Sequence, residues 1–172
     1  CIWETRVSDF KAFLEDNDDI DWLAAEFPQQ KDHPAVRVPW TSAVEFCEWL
    51  TKIDRRSGKI GRSESYRLPT DHEWSCAVGI GPSEDPEARP DEKHEQLVNV
   101  YPWGSQWPPP SGTGNFYGEE TISNPLIEND KPRGPMKGYK DDHDRTAPVG
   151  GSSVNQFGLH DMSGNAGEWC ED

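Results

Sequence analysis

After Gly79 the apolar residues stop recurring at helical or strand spacing, and across residues 111–145 almost no periodicity remains. So long a stretch without regular structure is unusual inside a compact domain; such stretches are functional, held by a metal, or disordered. The chain is thereby confined to architectures with few regular elements, many turns and a small core of large side chains. Composition decides against disorder. Thirty-two Asp+Glu against 17 Lys+Arg give a net charge of −15, and hydrophobic residues make up only 33% of 172. Low hydropathy with high charge marks disordered chains, but those are poor in aromatics. Here 10% of residues are aromatic, eight of them Trp. The expectation is a loop-rich globular domain whose core leans on Trp, Phe and Leu.

Several function classes drop out. No apolar run approaches the roughly 20 residues of a membrane-spanning helix, and no basic-plus-apolar leader pattern opens the chain. A charge of −15 opposes binding to a phosphate backbone, which needs a basic face. A soluble chain without a nucleic-acid partner is expected. The ends read as cut: the chain enters helix-like sequence directly from Cys1 and stops at Asp172 right after GEWCED, whereas natural termini are usually polar and poorly ordered. Residues 1–172 are read as a single, truncated domain.

The regular elements lie early. Residues 8–16 read as a short helix capped by Ser8, with Phe10, Phe13 and Leu14 on one face. Residues 33–40 read as extended, since Pro34 and Pro39 block a helix. A second helix opens near Thr41 or Ser42, where Ser42 and Glu45 fit a capping box, and Ala43, Phe46, Cys47 and Leu50 form its buried stripe. Residues 52–67 read as a solvated hairpin or loop. In YRLPTDHEW a strand ends at Pro69, Thr70 and Glu73 form another capping box, and Gly79 stops the helix. His72 is expected to be an exposed first-turn residue. Residues 80–97, rich in Pro and Glu, read as a surface insertion.

None of Cys1, Cys47, Cys76 and Cys170 forms a CxxC pair, which argues against a zinc ribbon or thioredoxin-type site. Cys47 and Cys76 are expected as free buried thiols. No dinucleotide, phosphate-loop, nucleophile-elbow or HExxH motif occurs. One candidate remains, from Asp161 to Glu168. Calcium takes several oxygens, backbone carbonyls among them. Gly164, Asn165 and Gly167 can turn carbonyls inward between two carboxylates. The long aperiodic stretch, with Asn115 and Asp141–Asp142, would gain order from a cation. The plainer reading of the same residues is a polar turn.

Six motifs then occur in order: VRVPWTSAVEFCEWL, YRLPTDHEW, YPWG, GNF, TAPVG and FGLHDMSGNAGEW. Together they resemble the formylglycine-generating enzyme (sulfatase-modifying factor) family, from Trp3 onward. The resemblance implies an α+β fold of the C-type-lectin-like kind, with few short helices and strands and much irregular chain. It also implies two structural calcium sites. One would use the side chains of Asn115 and Asp141 with the carbonyls of Phe116 and His143. The other would use Asp161 and Glu168 with the carbonyls of Gly164 and Ala166.

In active members of that family a cysteine pair near the C-terminus binds copper(I), uses O₂, and converts a sulfatase cysteine to formylglycine. Those cysteines lie downstream of the G-N-x-x-E-W motif, a segment this chain lacks. Cys170, in the E-W-C context, is not expected to replace them, and Gly167 stands where the family usually has Trp. The implied parent is a formylglycine-generating oxidase whose partner is a sulfatase, and copper belongs only to that complete protein. The alternative is a non-catalytic lectin-like module that binds a ligand or a protein. An iron-dependent sulfoxide-synthase relative is a weaker third reading, because the His-rich domain it needs is not visible.

Overall fold

The computed structural model describes residues 1–120 and 134–172. Part of the aperiodic stretch, residues 121–133, therefore lies outside the described residues. Four helices follow one another: α1 (Val7–Glu15), α2 (Trp40–Ser57), α3 (Asp71–Val78) and α4 (Pro90–Gln96), with a 3-10 turn at Gly81–Ser83. Among the described residues, β structure amounts to two isolated antiparallel bridges, Arg6 to Pro34 and Tyr101 to Gly104.

Helix α1 forms because Phe10 and Phe13 fall on one face, and both are 1% exposed. That face meets α2: the Phe10 ring lies 5.9 Å from Phe46, Phe13 lies 5.7 Å from Phe46, and Phe13 lies 5.6 Å from Trp49. Trp22 closes the cluster edge-on to Phe10 at 5.2 Å. Such tilted and edge-to-face pairs suit the ring quadrupoles and add to the area buried. A second aromatic group, Tyr101, Trp103, Phe116 and Tyr139, anchors the irregular half.

Three expected helix starts were tested by neighbours in space. Ser8 does not cap α1. The first-turn N–H groups of Val7 and Ser8 donate instead to the carbonyls of His33 and Lys31, and Asp9 accepts from the Arg6 backbone N–H and guanidinium. Once another strand of chain supplies acceptors, a side-chain cap is unnecessary. Ser42 and Glu45 form no box either. Helix α2 starts at Trp40, so Ser42 lies inside it and is buried. The helix also runs on to Ser57, and Gly58 ends it at φ 75, so the first six residues of the expected 52–67 loop are helical. The third start is as expected: Thr70 accepts from the Glu73 N–H, the Glu73 carboxylate accepts from the Thr70 N–H, and Gly79 closes α3 at φ 96. No strand precedes it at residues 66–69.

Residues 80–97 bury two charged groups. The Glu84 side chain is 1% exposed and Lys93 is 6% exposed, paired with each other at 3.3 Å. Lys93 also holds Asp71 on α3 at 3.0 Å. Apolar content was too low to signal this packing, because the buried groups are a carboxylate and an ammonium.

The chain's last segment lies against its first. The His160 N–H donates to the Ile2 carbonyl, and the Glu171 N–H donates to the Pro69 carbonyl. The Trp169 indole donates to the Val38 carbonyl, and the Trp40 indole to the Cys170 carbonyl. This closure carries residues 161–168 to Glu4, ahead of α1, and to Trp74 on α3.

Candidate functional site

Residues 161–168 turn sharply. Asp161, Gly164 and Asn165 sit at φ 57, 80 and 62, left-handed values that Gly, Asn and Asp tolerate best. Asp161 is buried. Its carboxylate accepts from the Ser152 hydroxyl at 2.7 Å and backbone N–H at 3.3 Å, and from the Gly150 N–H. Glu168 accepts a hydrogen bond from the Trp74 indole on α3. Asp161, Gly164, Ala166 and Glu168 share one pocket of about 280 Å³, with Trp74 and Cys170 in its wall. All four residues of the expected second site are thus brought together.

Burial pushes the Glu168 carboxyl up, and the Asp161 charge adds to this against the Trp74 hydrogen bond. Glu4 joins them, a residue that the sequence reading missed. It is 8% exposed, accepts from Asn165 Nδ2 at 2.6 Å, and accepts from the Ala166 N–H at 3.0 Å. Desolvation pushes its carboxyl up to about 8, with the charges of Asp161 and Glu168 contributing. Glu4 and Glu168 are thus both raised, first by desolvation and then by neighbouring negative charge, a situation that a bound divalent cation relieves. No local pattern pointed to Glu4; it lies over 150 positions away in sequence from its partners.

The first expected site is placed differently. Asp141 is close to Phe116 and His143, but through their N–H groups, at 2.7 and 3.0 Å. Each carboxylate oxygen keeps a further lone pair. Asn115 uses Nδ2 for both its side-chain bonds, to the Arg145 carbonyl and to Asn165 Oδ1, which leaves its Oδ1 for another partner.

The two loops interlock. The Asn165 N–H donates to the Asn115 carbonyl at 2.7 Å. A Cβ on Gly114 would run into the Ser163 carbonyl, and one on Gly164 into the Asn115 carbonyl. Asn165 is the hub, since its Oδ1 also accepts from the Ala147 N–H at 2.7 Å.

Among the described residues no group of three His, Cys, Asp or Glu side chains is close enough to form a ready metal cage. The carboxylates feel one another over a longer range than ligation requires. A calcium ion here would need carbonyl oxygens to complete its shell, which is normal for that ion.

All four cysteines are free; Cys47 is half-buried and Cys76 exposed, so the expectation of two buried thiols fails for Cys76. His72 is not a bare first-turn residue either: its ring pairs with Glu84 at 2.6 Å. A larger hollow of about 620 Å³ lies between α2 and residues 65–68, and it contains none of the expected site residues.

Residues 4–172 match the sulfatase-modifying factor enzyme 1-like domain, and the chain belongs to that family. It is 28% identical over 156 residues to a formylglycine-generating enzyme of Thermomonospora curvata, covering 88% of this chain and 39% of that protein. The bovine formylglycine-generating enzyme (Bos taurus) is 30% identical over 148 residues, covering 82% of this chain and 27% of that protein. A bovine relative named inactive C-alpha-formylglycine-generating enzyme 2 is 28% identical over 142 residues, covering 82% of this chain and 33% of that protein. The chain therefore spans well under half the length of these relatives. The solved structure of PvdO from Pseudomonas aeruginosa superimposes with a TM-score of 0.52 at 17% identity, covering 93% of this chain and 51% of that one. The fold is shared with that protein.

No helix among the described residues is long and apolar enough to cross a membrane.

Proposed function

We propose that this chain is the calcium-organised scaffold of a sulfatase-modifying-factor domain, α+β and C-type-lectin-like in its full architecture. In this reading the complete protein is a formylglycine-generating oxidase that acts on a sulfatase cysteine. The observation that carries the calcium assignment is the shared pocket of Asp161, Gly164, Ala166 and Glu168, beside the buried Glu4. Calcium would supply positive charge there, and the chain's own residues hold the loop: Glu4 through Asn165 and Ala166, Ser152 through Asp161, Trp74 through Glu168. Asn115 and Asp141, with Phe116 and His143, form the proposed second site. Copper belongs to the complete protein only.

The alternative, a non-catalytic binding module, is supported by one observation: a relative named inactive has the same 28% identity to this chain as one named formylglycine-generating enzyme. Identity at this level does not separate the two.

Calcium binding is tested on protein stripped by a chelator. Calcium should raise its melting temperature, with a gain of about 2.7 kcal/mol when calcium stands at a hundred times its dissociation constant. Glu168→Gln keeps an acceptor for the Trp74 indole and removes a charge, so it should weaken calcium binding without unfolding the apo protein. No calcium by elemental analysis, together with no thermal shift, would overturn the assignment.

A further inference from the structure

Helix α3 has two working faces. Trp74 points to the pocket above, while His72 and Cys76, one helical turn apart, share another face. There Cys76 is an exposed residue, and its Sγ lies 3.5 Å from His72 Nε2. On the other side of the ring, His72 Nδ1 lies 2.6 Å from Glu84 Oε1, and the Glu84 side chain is 1% exposed. The three groups are in line: thiol, imidazole, buried carboxylate.

Neighbours hold this line in place. Burial pushes the Glu84 carboxyl up, but bonds from His72, Ser75 and Lys93 outweigh it, so the group lies below its ordinary value and stays ionised. Lys93 Nζ is 3.3 Å from Glu84 and 3.0 Å from Asp71. An ionised carboxylate at Nδ1 calls for a proton on that nitrogen, and in the neutral form of the ring the Nε2 lone pair then faces the thiol. The sulfur packs close against Gly81, where a Cβ would lie 2.5 Å from Cys76 Sγ. A nucleophile beside a base that a third group orients is the arrangement that activates thiols.

The geometry points to Cys76 as a thiol–disulfide exchange site that takes small disulfides, with His72 as its base and Glu84 as a positioning residue. The Cys76 proton passes to His72 Nε2. The sulfur attacks one sulfur of the incoming disulfide, and that S–S bond breaks as the Cys76 mixed disulfide forms. The departing sulfur leaves as a thiolate and takes up the proton. Cys76 is oxidised and the incoming disulfide is reduced, so electrons balance without a further reagent. A net charge of −15 favours neutral or cationic disulfides over anionic ones.

The test uses dithiodipyridine, a neutral aromatic disulfide, with mass-spectrometric mapping of the modified cysteine and melting temperatures for every variant. At neutral pH, Cys76 in the folded protein should exchange about tenfold or more faster than in the urea-unfolded chain. His72→Gln should remove that advantage at Cys76 while leaving the rates at Cys1 and Cys47 unchanged. Glu84→Gln should lower the Cys76 rate and change its pH profile. Should that variant unfold, His72→Gln alone decides. Equal folded and unfolded rates, or a His72→Gln protein that reacts as fast as the parent, would overturn the proposal.

Discussion

Glu73 shows how much one side chain can do at an element's start. Its carboxyl is held down to about 2, chiefly by the Arg67 guanidinium and then by the Thr70 N–H. A carboxyl lowered on folding contributes stability that is fully present above its unfolded value. That contribution is lost as pH falls from about 4.5 towards 2. Glu73→Gln should therefore lower the melting temperature at neutral pH, and the gap to the parent should close across that acid window. A pH-independent gap in thermal melts would refute this account. Thr70 and Glu73 were legible in the sequence because a capping box involves residues only three apart. Glu4 was not, because burial and partners distant in sequence set its behaviour.

Among the elements, α1 depends on its aromatic face. Phe10 touches Phe13, Trp22 and Phe46 and is nearly inaccessible to water. Phe10→Ala should cost about 3–5 kcal/mol, as deleting a buried ring usually does, and chemical denaturation would measure it. Trp107 is 57% exposed, and its replacement by Ala should cost far less. The interlocked loops make a second prediction. Gly164 sits at φ 80 against the Asn115 carbonyl. Gly164→Ala should destabilise the calcium-free protein by at least the roughly 1–2 kcal/mol that a left-handed Cβ costs. A melting temperature equal to the parent's would show that the loops do not pack this closely. The apolar spacing of α1 was readable because a helix repeats its own face. The true starts of α1 and α2 were not, since they depend on the carbonyls of residues 31 and 33 and on the Pro39 entry to α2.

For the whole molecule, the four cysteines decide a functional prediction. All are free and none stands in a CxxC pair, whereas copper(I) favours soft thiolate ligands. Incubated with a cysteine-containing peptide, copper and O₂, it should form no formylglycine by mass spectrometry. The full-length protein given the same assay separates the oxidase from the binding module. Turnover by this chain alone would overturn the first expectation.

The stripe expected on α2, Ala43, Phe46, Cys47 and Leu50, is only half-buried, and the residues that α2 buries are Ser42, Thr51 and Asp54. The sequence by itself determined the family, the aromatic face of α1, and the α3 capping box. Each is written in residue order or in spacing of a few positions. Tertiary structure alone decided which carboxylates meet and which groups of the 80–97 segment are buried. It brought Glu4 within electrostatic range of Asp161 and Glu168, and it lined up Glu84, His72 and Cys76. Both outcomes rest on long-range closure of irregular chain, where no repeating pattern announces a neighbour. Desolvation and charge then act on whatever that closure brings together.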